Sequence, residues 1–271
     1  MRRMRGVGFA LAFIGGMLAA GAARAAENVD VALVLAADVS RSIDDGEFQL
    51  QRKGYAEGIA SPRVLAAIQA GAHHAIAVCF VEWAGPEEEA VVANWAVIRD
   101  GETAQVFAQT LLNAPRSYTG RTSISAAIDF AMTLFPKSGV TAERRIIDVS
   151  GDGTNNAGRP VTEARDQAVA QGVTINGLAI INERPEGYFF AHTSPPGGLP
   201  HYYQENVVGG PAAFVTVVKN FDTFGDAITN KLLTEIAAVL PPSSARLWRR
   251  SERQPRAVEL GAAESRSLEL R

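Results

Sequence analysis

Short, nearly continuous apolar runs alternate in this chain with segments whose apolar residues recur at helical spacing. Four such runs, each a candidate strand, lie at residues 29–37, 75–81, 145–149 and 173–181. A strand that is apolar at nearly every position is typical of a parallel sheet with helices covering both faces. The alternation therefore predicts an α/β fold built around a buried parallel sheet.

Three other segments carry helix signals. The apolar residues of 124–135 fall on one helical face, and residues 160–171 begin with a proline and are followed by a glycine. A last apolar stripe runs through residues 221–236. Residues 89–98 follow the second apolar run through a short turn, which predicts an antiparallel strand at the sheet edge. The fold prediction is one doubly wound domain with a mostly parallel sheet and one antiparallel edge strand.

Both ends of the chain differ from this middle part. Residues 1–25 combine three arginines near the start, a Gly/Ala-rich apolar run and a small-x-small pattern, which predicts a signal peptide cleaved near Ala25. No later stretch approaches the roughly 20 apolar residues that a transmembrane helix needs, so we expect an exported chain, periplasmic or secreted, without a membrane span. Residues 241–271 lack a sustained apolar period, which predicts a disordered tail after a domain at residues 26–240.

The charge balance excludes one class of partner. The whole chain has a formal net charge of −3, and loss of the four arginines of residues 1–25 lowers it to −7. The tail contains seven arginines and four glutamates, which leaves about −10 on residues 26–240. Because an acidic surface repels phosphate groups, we expect no nucleic-acid partner.

Residues that bind transition metals are few and scattered. The single cysteine, Cys79, excludes an internal disulfide and a Cys-rich zinc site, and its place in an apolar run predicts a buried side chain. The histidines lack the spacing of a zinc motif, so we expect them on the surface or in loops. They are His73, His74, His192 and His201.

Residues 183–210 interrupt the alternation and are rich in proline, glycine and aromatic residues, which predicts a loop insertion with a functional role. Its aromatic side chains either form a rim for a partner or pack the insertion onto the domain, and the sequence leaves both readings open. These residues are Tyr188, Phe189, Phe190, Tyr202 and Tyr203.

Three motifs place carboxylates and hydroxyls where a ligand would bind. In an open α/β sheet, that place lies beyond the carboxyl ends of the strands. Asp38, Ser40 and Ser42 follow the first apolar run, and Asp152, flanked by glycines, follows the third. Thr122 precedes the first helical segment and is expected to cap it. Two carboxylates and three hydroxyls suit a hard cation, so Mg²⁺ is the expected ion, with Mn²⁺ an alternative.

This ordered set of motifs resembles the metal-ion-dependent adhesion site (MIDAS) of the von Willebrand factor A domain. The likeness extends over residues 28–240. The chain is also similar to an exported bacterial family of such domains of unknown function, through the segments YTGRTSISAAIDFA, IDVSGDGTNN and YYQENVVGGPAAF.

The resemblance implies that the site residues bind the metal in two different ways. Ser40, Ser42 and Thr122 would contact the metal directly, whereas Asp38 and Asp152 would bind it largely through water. One coordination position would remain for an acidic side chain of a protein partner. The function that the resemblance implies is a non-catalytic adhesion or assembly module.

A second family remains as an alternative. Haloacid-dehalogenase-type phosphatases also have an aspartate after the first strand, and the segment beginning at Gly151 resembles their last motif. In that reading Asp38 would be a covalent nucleophile and Mg²⁺ would orient the phosphate. Against it, Ser40 stands where the acid/base aspartate is expected, and Asn156 replaces a metal-binding carboxylate.

Overall fold

The computed structural model describes residues 26–181, 195–219 and 223–237. The predicted signal peptide, the segment 182–194 with the first three insertion aromatics, and the predicted tail lie outside these residues. No helix within the described ranges is long and apolar enough to cross a membrane.

One six-stranded sheet organises the domain, in the order β3-β2-β1-β4-β5-β6. The strands are β1 (Glu27–Asp38), β2 (Ile76–Trp83), β3 (Glu89–Ile98), β4 (Val140–Gly151), β5 (Val173–Ile180) and β6 (Val215–Val218). β3 pairs antiparallel with β2, and every other pairing is parallel. This confirms the predicted doubly wound sheet with one antiparallel edge strand. β6 is short and only partly buried, and the sequence analysis missed it.

Helices cover both faces of this sheet. They are α1 (Asp45–Ile59), α2 (Pro62–Gln69), α3 (Gly101–Asn113), α4 (Ile124–Leu134), α5 (Val161–Ala170), α6 (Gly198–Tyr202) and α7 (Phe224–Ala237). Successive side chains of a strand point to opposite faces. Leu33 and Leu35 of β1 therefore pack in the core under α1, α2, α3 and α7, while Val34 and Ala36 pack under α4 and α5.

The described part of the predicted insertion is not a plain loop. α6 continues into a turn of π-helix at Tyr203–Val207, and the chain then enters β6. Residues 195–210 thus belong to the crossover between two parallel strands, β5 and β6. Leu199, Tyr203 and Val207 are buried in the core, so this part packs onto the domain.

The register of β1 brings two of the predicted motifs together. β1 pairs with β2 on one side and with β4 on the other, and Ala37 stands opposite Ser150. Because the two strands run parallel, Asp38 and the residues after Ser150 leave the sheet at the same edge. The chain winds in opposite directions from β1 to these two neighbours, and such a switch point is where ligands bind in open α/β sheets.

Candidate metal centre

Asp38 is the last residue of β1, and its carboxylate shapes the loop that follows. Its Oδ1 accepts a hydrogen bond of 2.7 Å from the Ser40 amide. The Ile43 amide then donates to the Ser40 carbonyl at 3.1 Å, which closes a turn. One residue later Asp44 caps α1 in a reciprocal capping box with Glu47. The loop is therefore short and held at both ends.

The five predicted site residues lie together in one cluster of oxygens. Ser40 Oγ is 3.2 Å from Ser42 Oγ, and the Thr122 hydroxyl donates to Ser40 Oγ at 3.4 Å. The Ser42 hydroxyl donates to Asp152 Oδ1 at 2.7 Å. The last of these contacts joins residues that are 110 positions apart in the chain. Three separate loops thus present their oxygens to one point beyond the sheet.

Thr122 does not cap α4, contrary to the sequence prediction. The cap is Ser123, whose side chain accepts a hydrogen bond from the Ala126 amide. Thr122 lies one residue earlier, and Asn156 holds its backbone from both sides: the Asn156 amide donates to the Thr122 carbonyl at 2.9 Å, and Asn156 Oδ1 accepts from the Thr122 amide at 3.1 Å. With the cap provided by Ser123, the Thr122 hydroxyl is available to the oxygen cluster.

The two carboxylates of the cluster are almost fully buried. Asp38 is 0% exposed and Asp152 is 2% exposed. Burial, and then the nearby charge of Asp152, hold the pKa of Asp38 well above its usual range. Asp38 Oδ2 accepts no hydrogen bond from any residue within the described ranges. A buried carboxylate oxygen of this kind is costly unless a cation compensates it, so the site fits a divalent ion.

Gly151 provides the space in which these groups meet. A Cβ at this position would stand 2.7 Å from the Tyr203 hydroxyl oxygen and 2.9 Å from Asp38 Oδ2. Gly153, on the other side of Asp152, is less confined, because a Cβ there would meet Thr122 atoms only at 3.7 Å. The first glycine is required by the packing and the second is not.

Gly151→Ala should therefore lower the free energy of unfolding by about 1–3 kcal/mol, since the added methyl group overpacks a site without free volume. Chemical denaturation measures this change. The matched control is Gly153→Ala, for which we expect less than about 1 kcal/mol. Equal effects of the two substitutions would contradict the described packing.

Arg116 is a positioning residue that sequence reasoning missed. Its Nη2 donates to the carbonyl oxygens of Val39, Ser40 and Ile43 at 2.8, 3.0 and 2.8 Å. These carbonyls belong to the loop that carries the first motif. No periodicity or motif marks such a residue, because its partners are backbone atoms distant in sequence.

Tyr203 is a second missed residue. It is fully buried, and burial followed by the charges of Asp38 and Asp152 raises the pKa of its hydroxyl well above the usual range. The adjacent Tyr202 is half-buried, and its hydroxyl accepts a hydrogen bond of 3.1 Å from the Asn155 amide, three residues after Asp152. These two insertion aromatics thus pack against the loop that carries Asp152. Tyr203 is buried and is not part of a surface rim.

Solved structures share this fold. A von Willebrand factor type A protein from Catenulispora acidiphila matches 77% of this chain and 43% of its own, with a TM-score of 0.53 and 13% identity. Proximal thread matrix protein 1 from the mussel byssus, in a structure with a zinc-occupied MIDAS motif, matches 79% of this chain and 47% of its own, with a TM-score of 0.53 and 13% identity. The pilus adhesin SpaC from Lactobacillus rhamnosus GG matches 78% of this chain and 31% of its own, again with a TM-score of 0.53 and 13% identity.

The chain spans less than half the length of each of these proteins. At such low identity the likeness shows the fold alone, and that fold is the von Willebrand factor A fold, as the sequence resemblance implied.

No curated protein matches this chain. A protein family, however, matches most of it. The family described as "Protein of unknown function (DUF1194)" matches residues 28–240, a range that contains all of the sheet except its first residue and all five residues of the oxygen cluster. The chain therefore belongs to the DUF1194 family and has the fold of a von Willebrand factor A domain.

Proposed function

We propose that this protein is an exported, non-catalytic module that binds a protein partner through a divalent cation. The residues that would hold the ion are Asp38, Ser40, Ser42, Thr122 and Asp152. The observation that carries the proposal is the buried, unpartnered Oδ2 of Asp38, which lies near a second buried carboxylate and three hydroxyls. An all-oxygen donor set favours Mg²⁺, and Mn²⁺ suits the same ligands.

The assignment of roles follows the resemblance to the metal-ion-dependent adhesion site. The three hydroxyls would contact the ion directly, and the two carboxylates would bind it largely through water. When bound, the ion supplies an open coordination position to which a carboxylate of the partner can bind. The neighbours in the fold support this reading, because one is a pilus adhesin and another has a zinc-occupied MIDAS motif.

The rim of the site also favours an acidic partner. Arg41 and Arg121 are both exposed and lie on adjacent loops, since the Arg41 amide donates to the Gly120 carbonyl at 3.0 Å. The loops that carry Ser40 and Thr122 thus each hold an arginine, although the domain as a whole is acidic. Charge of this kind at the rim of an interface steers a partner of opposite sign.

Export is compatible with the start of the fold. β1 begins at Glu27, two residues after the predicted cleavage site at Ala25. Removal of residues 1–25 would therefore leave every strand of the sheet intact.

The phosphatase alternative finds no support in the site. A hydroxyl such as that of Ser40 cannot transfer the proton that the acid/base of a phosphatase must transfer near neutral pH. Asn156, in the place of a metal-binding carboxylate of such an enzyme, instead holds the backbone of Thr122. We therefore propose no catalytic role for Asp38.

Capture of the partner should depend on the metal. The immobilised protein is incubated with the envelope and secreted proteins of the producing organism in Mg²⁺. We expect a partner that EDTA releases and that Asp152→Ala fails to retain, because both changes remove the ion. The matched control is Asp166→Ala, an exposed carboxylate on α5, which should retain the partner. A partner that stays bound in EDTA would contradict the proposed mode of binding.

A further inference from the structure

A second group of metal-ligating side chains lies at the opposite end of the sheet. Asp30 stands near the start of β1, His73 lies in the turn between α2 and β2, and Glu143 lies on β4. Each offers one ligand atom, and these atoms all lie within 4.8 Å of one another. Asp38 lies eight positions after Asp30 on the same strand, a distance of roughly 26 Å at the usual rise per residue. This group is therefore distinct from the oxygen cluster.

The three residues are held together by the backbone as well as by their side chains. The His73 amide donates to Asp30 Oδ1 at 3.0 Å, and the Asp30 amide donates to the Ala75 carbonyl at 2.9 Å. His73 Nε2 lies 3.2 Å from Glu143 Oε1. The turn and the two strands therefore fix the relative positions of the ligand atoms before any ion binds.

Gly71 permits the approach of the Asp30 carboxylate. A Cβ at residue 71 would stand 2.1 Å from Asp30 Oδ2, so no other residue fits this turn without displacing the carboxylate. The sequence thus places a glycine where the turn must pass directly over a buried acid.

An independent observation supports cation binding at this group. Asp30 is only 1% exposed, and its Oδ2 accepts no hydrogen bond from the residues that the structure describes. The other oxygen already accepts the His73 amide. A buried carboxylate oxygen without a partner is destabilising, and a bound cation would compensate it.

The donor types indicate the kind of cation. Arg144 interacts electrostatically with Glu235 first, and then with Asp30 and Glu143, so its charge offsets the two carboxylates of this group only in part. The Arg144 guanidinium is itself bonded to the Glu235 carbonyl on α7. The imidazole among the ligands favours Zn²⁺ over a hard cation such as Mg²⁺, which prefers oxygen donors alone.

We propose that Asp30, His73 and Glu143 form a Zn²⁺ site at the amino end of the parallel strands. The imidazole Nε2 and one oxygen from each carboxylate are the protein ligands, and water completes the tetrahedral coordination. The side chains of His73 and Glu143 are 31% and 48% exposed, so the ion can enter from solvent. This site revises the expectation from sequence that His73 is only a surface or loop residue.

Zinc titration of the protein without a polyhistidine tag tests the proposal. Isothermal titration calorimetry is performed on Asp152→Ala, in which the oxygen cluster is disabled, and we expect one Zn²⁺ per chain. In that background His73→Ala and Glu143→Gln should each weaken Zn²⁺ binding by about tenfold or more, because losing even an outer partner of a metal ligand has an effect of that size.

The matched control is His74→Asn. His74 is the neighbouring histidine, and asparagine tolerates its positive φ of 53°. We expect unchanged Zn²⁺ affinity in this variant. Absence of Zn²⁺ binding in Asp152→Ala, or equal affinity in His73→Ala and His74→Asn, would overturn the proposal and leave only the contact between His73 and Glu143. Neither result bears on Mg²⁺ binding at the oxygen cluster.

Discussion

Lys231→Met is expected to lower the free energy of unfolding by about 3–5 kcal/mol, the cost of removing one partner from a buried ion pair. Lys231 lies on α7 and is fully buried, with Nζ 2.9 Å from Asp148 Oδ1 on β4 and 2.5 Å from Glu235 Oε1. Asn176 Nδ2 also donates to Glu235 Oε1, at 2.8 Å. Methionine keeps the length of the side chain but leaves two carboxylates facing each other without a cation.

The loss should also depend on pH. Burial above all raises the pKa of Asp148 to about 7, and Lys231 limits this rise. Because a carboxyl with a raised pKa keeps its proton in the folded state and loses it in the unfolded state, its contribution to stability falls as the pH rises from about 4 to about 7. Without Lys231 the pKa of Asp148 rises further. Urea unfolding should therefore show a larger deficit for the variant at pH 8 than at pH 5.

Two controls separate this effect from a general loss of charge. Lys53→Met breaks an exposed pair with Glu57 and should change stability by less than about 1 kcal/mol. Combining Lys231→Met with Asp148→Asn and Glu235→Gln should recover most of the loss, because no charge then remains in the cluster. A deficit for Lys231→Met no larger than that of Lys53→Met would contradict the described cluster.

The sheet was predictable because its strands carry an unambiguous signal. A strand buried on both faces has few polar positions to interrupt its apolar run, and β1, β2, β4 and β5 were recognised in this way. The antiparallel edge strand followed from the short turn before it. β6 was missed because it has only four residues at the sheet edge, too few for a strand pattern to show in the sequence.

The oxygen cluster was predictable because its motifs lie at the ends of recognisable elements. Once Asp38 and Asp152 are placed at the carboxyl ends of parallel strands, the fold brings them together. The cap of α4 was misassigned because Thr122 and Ser123 are adjacent and both can cap a helix, and only the backbone geometry distinguishes them.

Other parts of the molecule carry no local signal. Arg116 acts on backbone carbonyls more than 70 residues away. In the sequence Lys231 cannot be told from an exposed helical lysine, because its burial depends on the packing of α7 against β4. Asp30, His73 and Glu143 are separated by 43 and 70 positions, so no spacing rule could associate them. Long-range side-chain contacts of this kind depend on the tertiary fold.

Mg²⁺ should stabilise the folded protein through the oxygen cluster. An ion that binds only the folded state adds about 2.7 kcal/mol at roughly 100 times its dissociation constant. The burial of Asp38 and Asp152 gives the physical reason, because the ion compensates two charges that the fold removes from water. Asp152→Ala should abolish this stabilisation. His73→Ala, which alters the other end of the sheet, should retain it.

The melting temperature in millimolar Mg²⁺ and in EDTA tests the central claim most directly. We predict a Tm several degrees higher in Mg²⁺ for the unaltered protein and for His73→Ala, and no difference for Asp152→Ala. An unchanged Tm of the unaltered protein between Mg²⁺ and EDTA would contradict a divalent cation site at Asp38, Ser40, Ser42, Thr122 and Asp152.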